Sequence, residues 1–414
     1  MPADFLDGQQ TLTEHRDLRT GTPVWDAYRT ERQPVITLTH SVKTDVVVVG
    51  AGITGAFVAE SLSSAGFSTL IVDRRLPGTG STAASTALIQ FEVDTPLSHL
   101  ADQIGFADAS RAWHRSLEAV RGIEQLVLEN SIACAFRPRS ALYLAGNVLG
   151  QKELANEVQL RSSIGLPSRF LSQSELLVNS GLSRDAAVLS EEAADLNPVQ
   201  LTHALLGIAM TRGARLHAPV EITDVVPLKS CVGIATSNGV EIESKAVIFA
   251  TGYELANGVP SNGHKRTATW AFATKPQKNS LRSLNKSLIW EASDPYLYIR
   301  STIDGRVVVG GEDEDFDDED RRDALLPAKI KSLQKKTEIL LPWLDVEADY
   351  CWAGTFGDSD TGLPTIGPIP EMPNCYAVLG YGGNGITFGY LAAKLLQSYL
   401  AGIPDADASI FAFK

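Results

Sequence analysis

The chain has 414 residues, of which 44% are hydrophobic and 21% charged, an ordinary globular composition in a length that favours two domains over one core. Its formal net charge of −13 argues against nucleic acid as the main partner. No apolar run approaches the ~20 residues of a membrane span, and the polar N-terminal segment lacks the apolar stretch of a signal peptide, so a cytoplasmic location is expected.

Residues 1–40 read as an irregular leader, broken by Gly21, Pro23 and Pro34. Residues 44–73 then read TDVVVVGAGITGAFVAESLSSAGFSTLIVD. A β-branched run enters a glycine turn (Gly50, Gly52, Gly55), a helical pattern follows, and a second apolar run ends on Asp73. Gly50 makes the tight turn, Gly52 lets a pyrophosphate approach the backbone, and Gly55 lets the helix press on the strand. The helix N-terminus offers unpaired N–H groups to phosphate, and Asp73 stands where a ribose hydroxyl would bind. Strand, turn, helix, strand and acid in that order predict an ADP-containing dinucleotide site.

A small-residue stretch, 76–88, comes next, and 96–177 is mainly helical in pattern, with 142–144 a short strand candidate. Asn197 and Pro198 predict a capped helix start for 197–212. Strands are expected at 221–227 and 232–237, the latter meeting a hairpin turn at Asn238-Gly239, and a buried strand at 247–250 ends in Thr251-Gly252. Alternation across 267–311 predicts an antiparallel sheet. The acidic run 312–320 reads as a charged loop rather than a calcium site, since the glycine of the EF-hand loop is missing. A helix at 324–340, a glycine-rich turn at 380–385 and a helix to about Leu400 complete the chain. The cysteines Cys134, Cys231, Cys351 and Cys375 show no metal-type pairing, so reduced thiols and no metal site are expected.

Four segments in order resemble the D-amino-acid oxidase/glycine oxidase-like family of FAD-dependent oxidoreductases: the turn ending at Asp73, the stretch GSTAASTAL (80–88), the strand VIFATGYE (247–254), and a C-terminal block containing WAGTFGDSDTGLPTIGPIP and GYGGNGITFGYLAAKLL. The resemblance implies an α/β fold: a discontinuous Rossmann-type FAD-binding domain (41–95, 190–255 and 345–414) with an inserted antiparallel-sheet substrate domain (96–189 and 256–344). It also implies FAD, held non-covalently, by Gly50, Gly52, Ile53, Thr54, Gly55, Asp73, Ser81, Thr82, Thr86, Ala87, Leu88, Val220, Thr251, Gly252, Gly383, Asn384, Gly385 and Ile386. Arg74 and Arg75 would lie along the adenosine phosphates or face solvent. By the same resemblance the last helix aims its N-terminus at the flavin pyrimidine edge. A dipole worth roughly 0.3–2 kcal/mol shifts a two-electron potential by only tens of millivolts, at ~30 mV per 1.4 kcal/mol.

The departures are as informative. Phe356 and Gly383 stand where amino-acid oxidases of the family carry carboxylate-binding arginines, and an aromatic ring cannot replace a bidentate guanidinium. Cys351 is out of register for covalent flavin attachment. An aliphatic residue near Val308 stands where some members use a lysine to activate oxygen, which leaves the electron acceptor open between oxygen and another oxidant. Tyr296, Tyr298, Trp352 and Tyr381 are candidates to line the cavity above the ring, and Arg300 a candidate relocated clamp or a sheet-surface arginine. The pattern is similar to the amine-oxidising, gamma-glutamylputrescine oxidase-like branch. The expected activity is oxidation of a primary or secondary amine to an imine. An amino-acid or N-methyl-amino-acid oxidase and a non-catalytic flavoprotein subunit are the alternatives.

Overall fold

The structure is a computed structural model and describes residues 11–414. Two sheets organise it. The first runs in the order Thr365–Pro368, Cys375–Leu379, Glu241–Phe249, Val42–Val49, Thr69–Val72, Arg215–His217, with the hairpin Ile222–Pro227 and Val232–Thr236 attached to Glu241–Phe249. From Cys375–Leu379 to Arg215–His217 every pairing is parallel. Val46, Val47, Val48 and Val49 are all buried, as a strand covered on both faces requires, which is why this run shows no polar alternation. Helix Ile53–Ser64 is buried almost all round because it packs between helices Pro198–Thr211 and Gly385–Leu400. Asn197 caps Pro198–Thr211 as expected, its side chain accepting from the N–H groups of Val199 and Gln200 (both 3.1 Å).

The second sheet runs in the order Arg19–Gly21, Ala348–Ser359, His264–Thr274, Val307–Glu314, Leu297–Ser301, Ser287–Glu291, Arg137–Leu144, Ala186–Asp195, Leu88–Gln90, and Ser168–Ser172 also pairs with Ala186–Asp195. It is antiparallel except where Ser287–Glu291 meets Arg137–Leu144. Within the stretch of mainly helical pattern, Arg137–Leu144 and Ser168–Ser172 are strands. Ala186–Asp195 carries no strand signal of its own. Its alanines and glutamates disfavour strand, and it becomes one because it is held among three neighbours.

Two expectations are corrected. Residues 1–10 of the leader lie outside the described residues, but 11–40 belong to the fold. Arg19–Gly21 pairs with Trp352 to Gly354, Trp25 is 4% exposed, and its ring N–H donates to Ser85 O (2.7 Å). Short buried segments of this kind lack the length for a periodic signal. The acidic run is not one loop: Glu312, Asp313 and Glu314 finish a strand, and Glu319 opens the helix Glu319–Leu340, because pairing with His264–Thr274 carries the strand past the last apolar residue.

Candidate functional site

One cavity of about 240 Å³ passes from the C-terminal edge of the first sheet to the face of the second. At the first-sheet end it is lined by the glycine turn. Gly50 has φ +114°, and a Cβ there would overlap the Ala250 carbonyl oxygen. Gly55 does not line the cavity. A Cβ on it would overlap the Gly50 carbonyl oxygen, so its bare backbone is what lets the helix seat on the turn. Gly52, Ile53 and Thr54 line the wall, and the Ile53 N–H donates to Thr82 Oγ1 (3.0 Å). The Asp73 carboxylate accepts from the N–H groups of Ala51 and Arg75 (both 2.7 Å). Burial raises its pKa against the pull of these donors.

Neither Arg74 nor Arg75 stands free, although the Arg75 side chain is 32% exposed. Both pair with Glu254, Arg75 through two bonds of 2.5 and 2.7 Å, and Glu254 is 5% exposed. Ser81, Thr82, Thr86, Ala87, Leu88, Val220, Thr251 and Gly252 line the same cavity. The Val220 N–H is already committed to Asp73 O (2.8 Å). Ser81 Oγ and Arg74 Nη1 are buried without a hydrogen-bond partner, the latter 3.9 Å from Glu221 Oε1. Two orphaned polar atoms beside a helix N-terminus and a glycine cradle fit a dinucleotide. The turn Gly50–Gly52, Asp73, Arg74 and Ser81 would hold it. No cysteine lines the cavity, which suits non-covalent binding.

The other end is aromatic. Tyr253, Trp290, Tyr296, Tyr298, Phe356 and Tyr381 line it. Tyr253 meets Tyr381 edge-on at 5.9 Å between centroids, and Tyr296 lies 5.4 Å from Tyr298. The Tyr298 hydroxyl pairs with Thr269 Oγ1 (3.0 Å). Burial pushes the Tyr253, Tyr296, Tyr298 and Tyr381 phenols above their usual range, so they stay neutral at physiological pH. Gly383, Asn384, Gly385 and Ile386 bring the start of helix Gly385–Leu400 to this wall.

Asp94 is the residue the sequence did not point to. It follows a strand-like run in the order Asp-Thr-Pro, which reads as a turn. Its Oδ2 accepts from the Gly383 N–H (2.7 Å) and Oδ1 lies 3.4 Å from Asn384 Nδ2. Burial pushes its carboxyl up to about 7, with Asp358 adding repulsion. The other charged residues lining the cavity, Asp73, Arg74, Arg75, Glu221 and Glu254, belong to the nucleotide end.

Two candidates lie elsewhere. Arg300 is 2% exposed, outside the cavity wall, and donates to Ala87 O (2.7 Å), Leu196 O (2.9 Å) and Thr86 O (3.2 Å). It is neither a surface arginine nor a clamp, because its donors are spent on the Thr86, Ala87 and Leu196 carbonyls and on buried Asp195 (3.8 Å). Trp352 is 1% exposed and its ring N–H donates to Ala84 O (2.8 Å), so it packs beneath that loop instead of facing the cavity. Arg300→Met is therefore expected to lower stability by about 1–3 kcal/mol through unpaired carbonyls. The ratio of KM values for carboxylate and non-carboxylate amines should stay the same. Denaturation and steady-state kinetics check this, and a loss confined to carboxylate substrates would restore the clamp.

The family model for FAD dependent oxidoreductases (DAO) matches residues 45–398. The gamma-glutamylputrescine oxidoreductase of Escherichia coli (strain K12) is 25% identical, covering 96% of this chain and 91% of the relative. Glycine oxidase of Bacillus licheniformis is also 25% identical, covering 89% and 96%. Among solved structures, glycine oxidase from Geobacillus kaustophilus superposes with a TM-score of 0.73 at 20% identity over 91% of this chain and 99% of that one. L-proline dehydrogenase from P. horikoshii gives 0.73 at 19% identity over 90% and 97%.

Proposed function

From its membership of the DAO family of FAD dependent oxidoreductases, we propose that this chain oxidises a primary or secondary amine at the carbon bearing nitrogen. The observation that carries the reading is the charge at the aromatic end of the cavity: Asp94 is there and no arginine or lysine is. An amino-acid substrate would bring its carboxylate against that acid with no cation to receive it, whereas an amine brings an ammonium group. The relative named for gamma-glutamylputrescine supports an amine, and those named glycine oxidase keep the amino-acid alternative in view.

Bound FAD, held by the glycine turn, Asp73, Arg74 and Ser81, would supply a two-electron acceptor for the hydride on the carbon next to nitrogen; the substrate iminium would then be hydrolysed by water to a carbonyl compound and the released amine or ammonia. The chain's residues prepare that step. Tyr296, Tyr298, Phe356 and Tyr381 enclose the amine, packing on its carbons and offering ring faces to its charge, worth ~0.5–2 kcal/mol. Hydride leaves only from the neutral amine, and the Asp94 carboxyl, poised near 7, receives the ammonium proton at Oδ1 or Oδ2. Orientation inside a closed wall supplies much of the rest. An external two-electron oxidant closes the cycle.

Titrating the purified holoprotein with amines and amino acids without oxygen, while recording the visible spectrum, tests the reading. Bleaching of the flavin band by amines and not by amino acids is the expected result. Bleaching by amino acids alone would overturn it, and a spectrum that neither class changes would favour a non-catalytic flavoprotein.

A further inference from the structure

Asp94 has a second acid across the turn that holds it. The glycines that lead from strand Cys375–Leu379 into helix Gly385–Leu400 run between two carboxylates. A Cβ at Gly382, whose φ is +53°, would lie 2.5 Å from Asp94 Oδ2 and 3.5 Å from Asp358 Oδ1, so those two oxygens are no more than about 6 Å apart, close enough for each charge to disfavour the other. A second contact ties the same segments together. A Cβ at Gly362 would lie 2.8 Å from Thr95 Oγ1, so the loop after Asp358 rests on the residue after Asp94.

The two acids are not equivalent. Asp358 lies near the end of strand Ala348–Ser359, opposite Lys265, whose ammonium pairs with Asp315 (2.7 Å). Burial disfavours the Asp358 charge, but the Ser359 N–H (2.8 Å) and Lys265 favour it. Asp315, Asp360 and His264 complete its charged surroundings. Asp94 is disfavoured first by burial, then by Asp358 and more weakly by Asp313, and the Gly383 N–H is the group that eases its ionisation. Glu92, two residues before it, faces Arg161 at 3.8 Å. Tyr143, Tyr253, Tyr296 and Tyr298 feel the Asp94 charge as neutral phenols. Asp358, with a cation nearby, therefore ionises first, and its charge then opposes that of Asp94.

We propose that Asp358 is a positioning residue for the proton transfer: its negative charge, across the glycine turn, keeps Asp94 a strong enough base to take the proton of a bound ammonium. This rests on the amine reading above and adds what sets the strength of its base. A carboxylate at its ordinary value of about 4 would accept a proton from an ammonium of about 10 only far uphill. One held at about 7 stands midway, where general-base transfer is more effective. Asp358 is outside the cavity wall and acts only through Asp94.

Infrared titration of the full-length holoprotein tests this without a substrate. The part of the neutral-carboxyl band that is missing from Asp94→Asn belongs to Asp94. Its midpoint is expected at about 7 in the unaltered protein. In Asp358→Asn it should fall by about half a unit to one unit, and Asp358→Glu, which keeps the charge, should restore it. With 1-aminohexane as reductant under anaerobic stopped flow, the limb near 7 should move to lower pH in Asp358→Asn. The plateau above it should drop about two- to threefold, the response to a weaker base. A midpoint that stays near 7 in folded, yellow Asp358→Asn protein would overturn the inference and leave the amine reading standing. A shifted midpoint with an unmoved kinetic limb would overturn it as well. If no amine reduced the flavin, the amine reading itself would fall and the role of Asp358 with it. Should Asp358→Asn fail to fold, Asp358→Ser decides by the same midpoint.

Discussion

Asparagine in place of Asp94 is expected to lower kcat/KM for amines by about 100-fold, the scale of a lost proton acceptor, and to change the shape of its pH profile. The Asp94 carboxyl is neutral below about 7 and charged above it. The unaltered enzyme should therefore gain kcat/KM as pH rises through about 7, then lose it near pH 10 as the free amine sheds the proton that Asp94 recognises. An ammonium bound beside Asp94 favours its charged form, so the same limb in kcat should lie at lower pH. In Asp94→Asn the limb near 7 should vanish, and kcat/KM should climb with the fraction of neutral amine. The flavin should stay bound, since the asparagine oxygen can still accept from the Gly383 N–H that Asp94 holds at 2.7 Å. A variant with an unchanged limb near 7 would remove Asp94 from the chemistry.

Gly55→Ala should give a colourless protein. The added methyl would overlap a backbone carbonyl oxygen, that of Gly50, and not the end of a flexible side chain. Relief therefore requires helix Ile53–Ser64 to lift from the turn. Overpacking of this kind costs about 1–3 kcal/mol, and the lifted helix takes its N-terminal N–H groups away from the phosphate position. Gly66→Asn is the control: nothing lies within 4 Å of a Cβ at Gly66, whose φ is +85°, and asparagine tolerates that region. It should purify yellow. Flavin absorbance per protein and chemical denaturation measure both variants, and a fully flavinated Gly55→Ala would show that helix and turn have room to spare.

The nucleotide half of the site was legible because its determinants are local. Strand Val42–Val49, the glycine turn, helix Ile53–Ser64 and Asp73 are consecutive, and their spacing carries their geometry. Tyr298 and Tyr381 were also legible, through resemblance, and both line the cavity. Arg300 and Trp352 came from the same reasoning and lie outside it, because residue type and register do not reveal that a loop carbonyl has claimed the side chain. Asp94 was not singled out by the sequence, and Asp313 was read as part of a charged loop. Asp94 meets Gly383 across 289 positions of sequence, and Asp313 is turned by a bulge that exists only once two strands pair.

The sequence by itself determined the cofactor-binding βαβ unit, the capped helix at Asn197 and the absence of the arginines expected for a carboxylate. These are properties of consecutive residues or of residue identity, and neither depends on what the rest of the chain does. Tertiary structure alone decided which charges face the aromatic cavity and which are consumed elsewhere: Arg300 and Arg75 are engaged by carbonyls and by Glu254, while Asp94 lines the cavity with no arginine or lysine beside it. Charge exerts its effect through burial and distance, and both are set only when segments hundreds of residues apart have packed together.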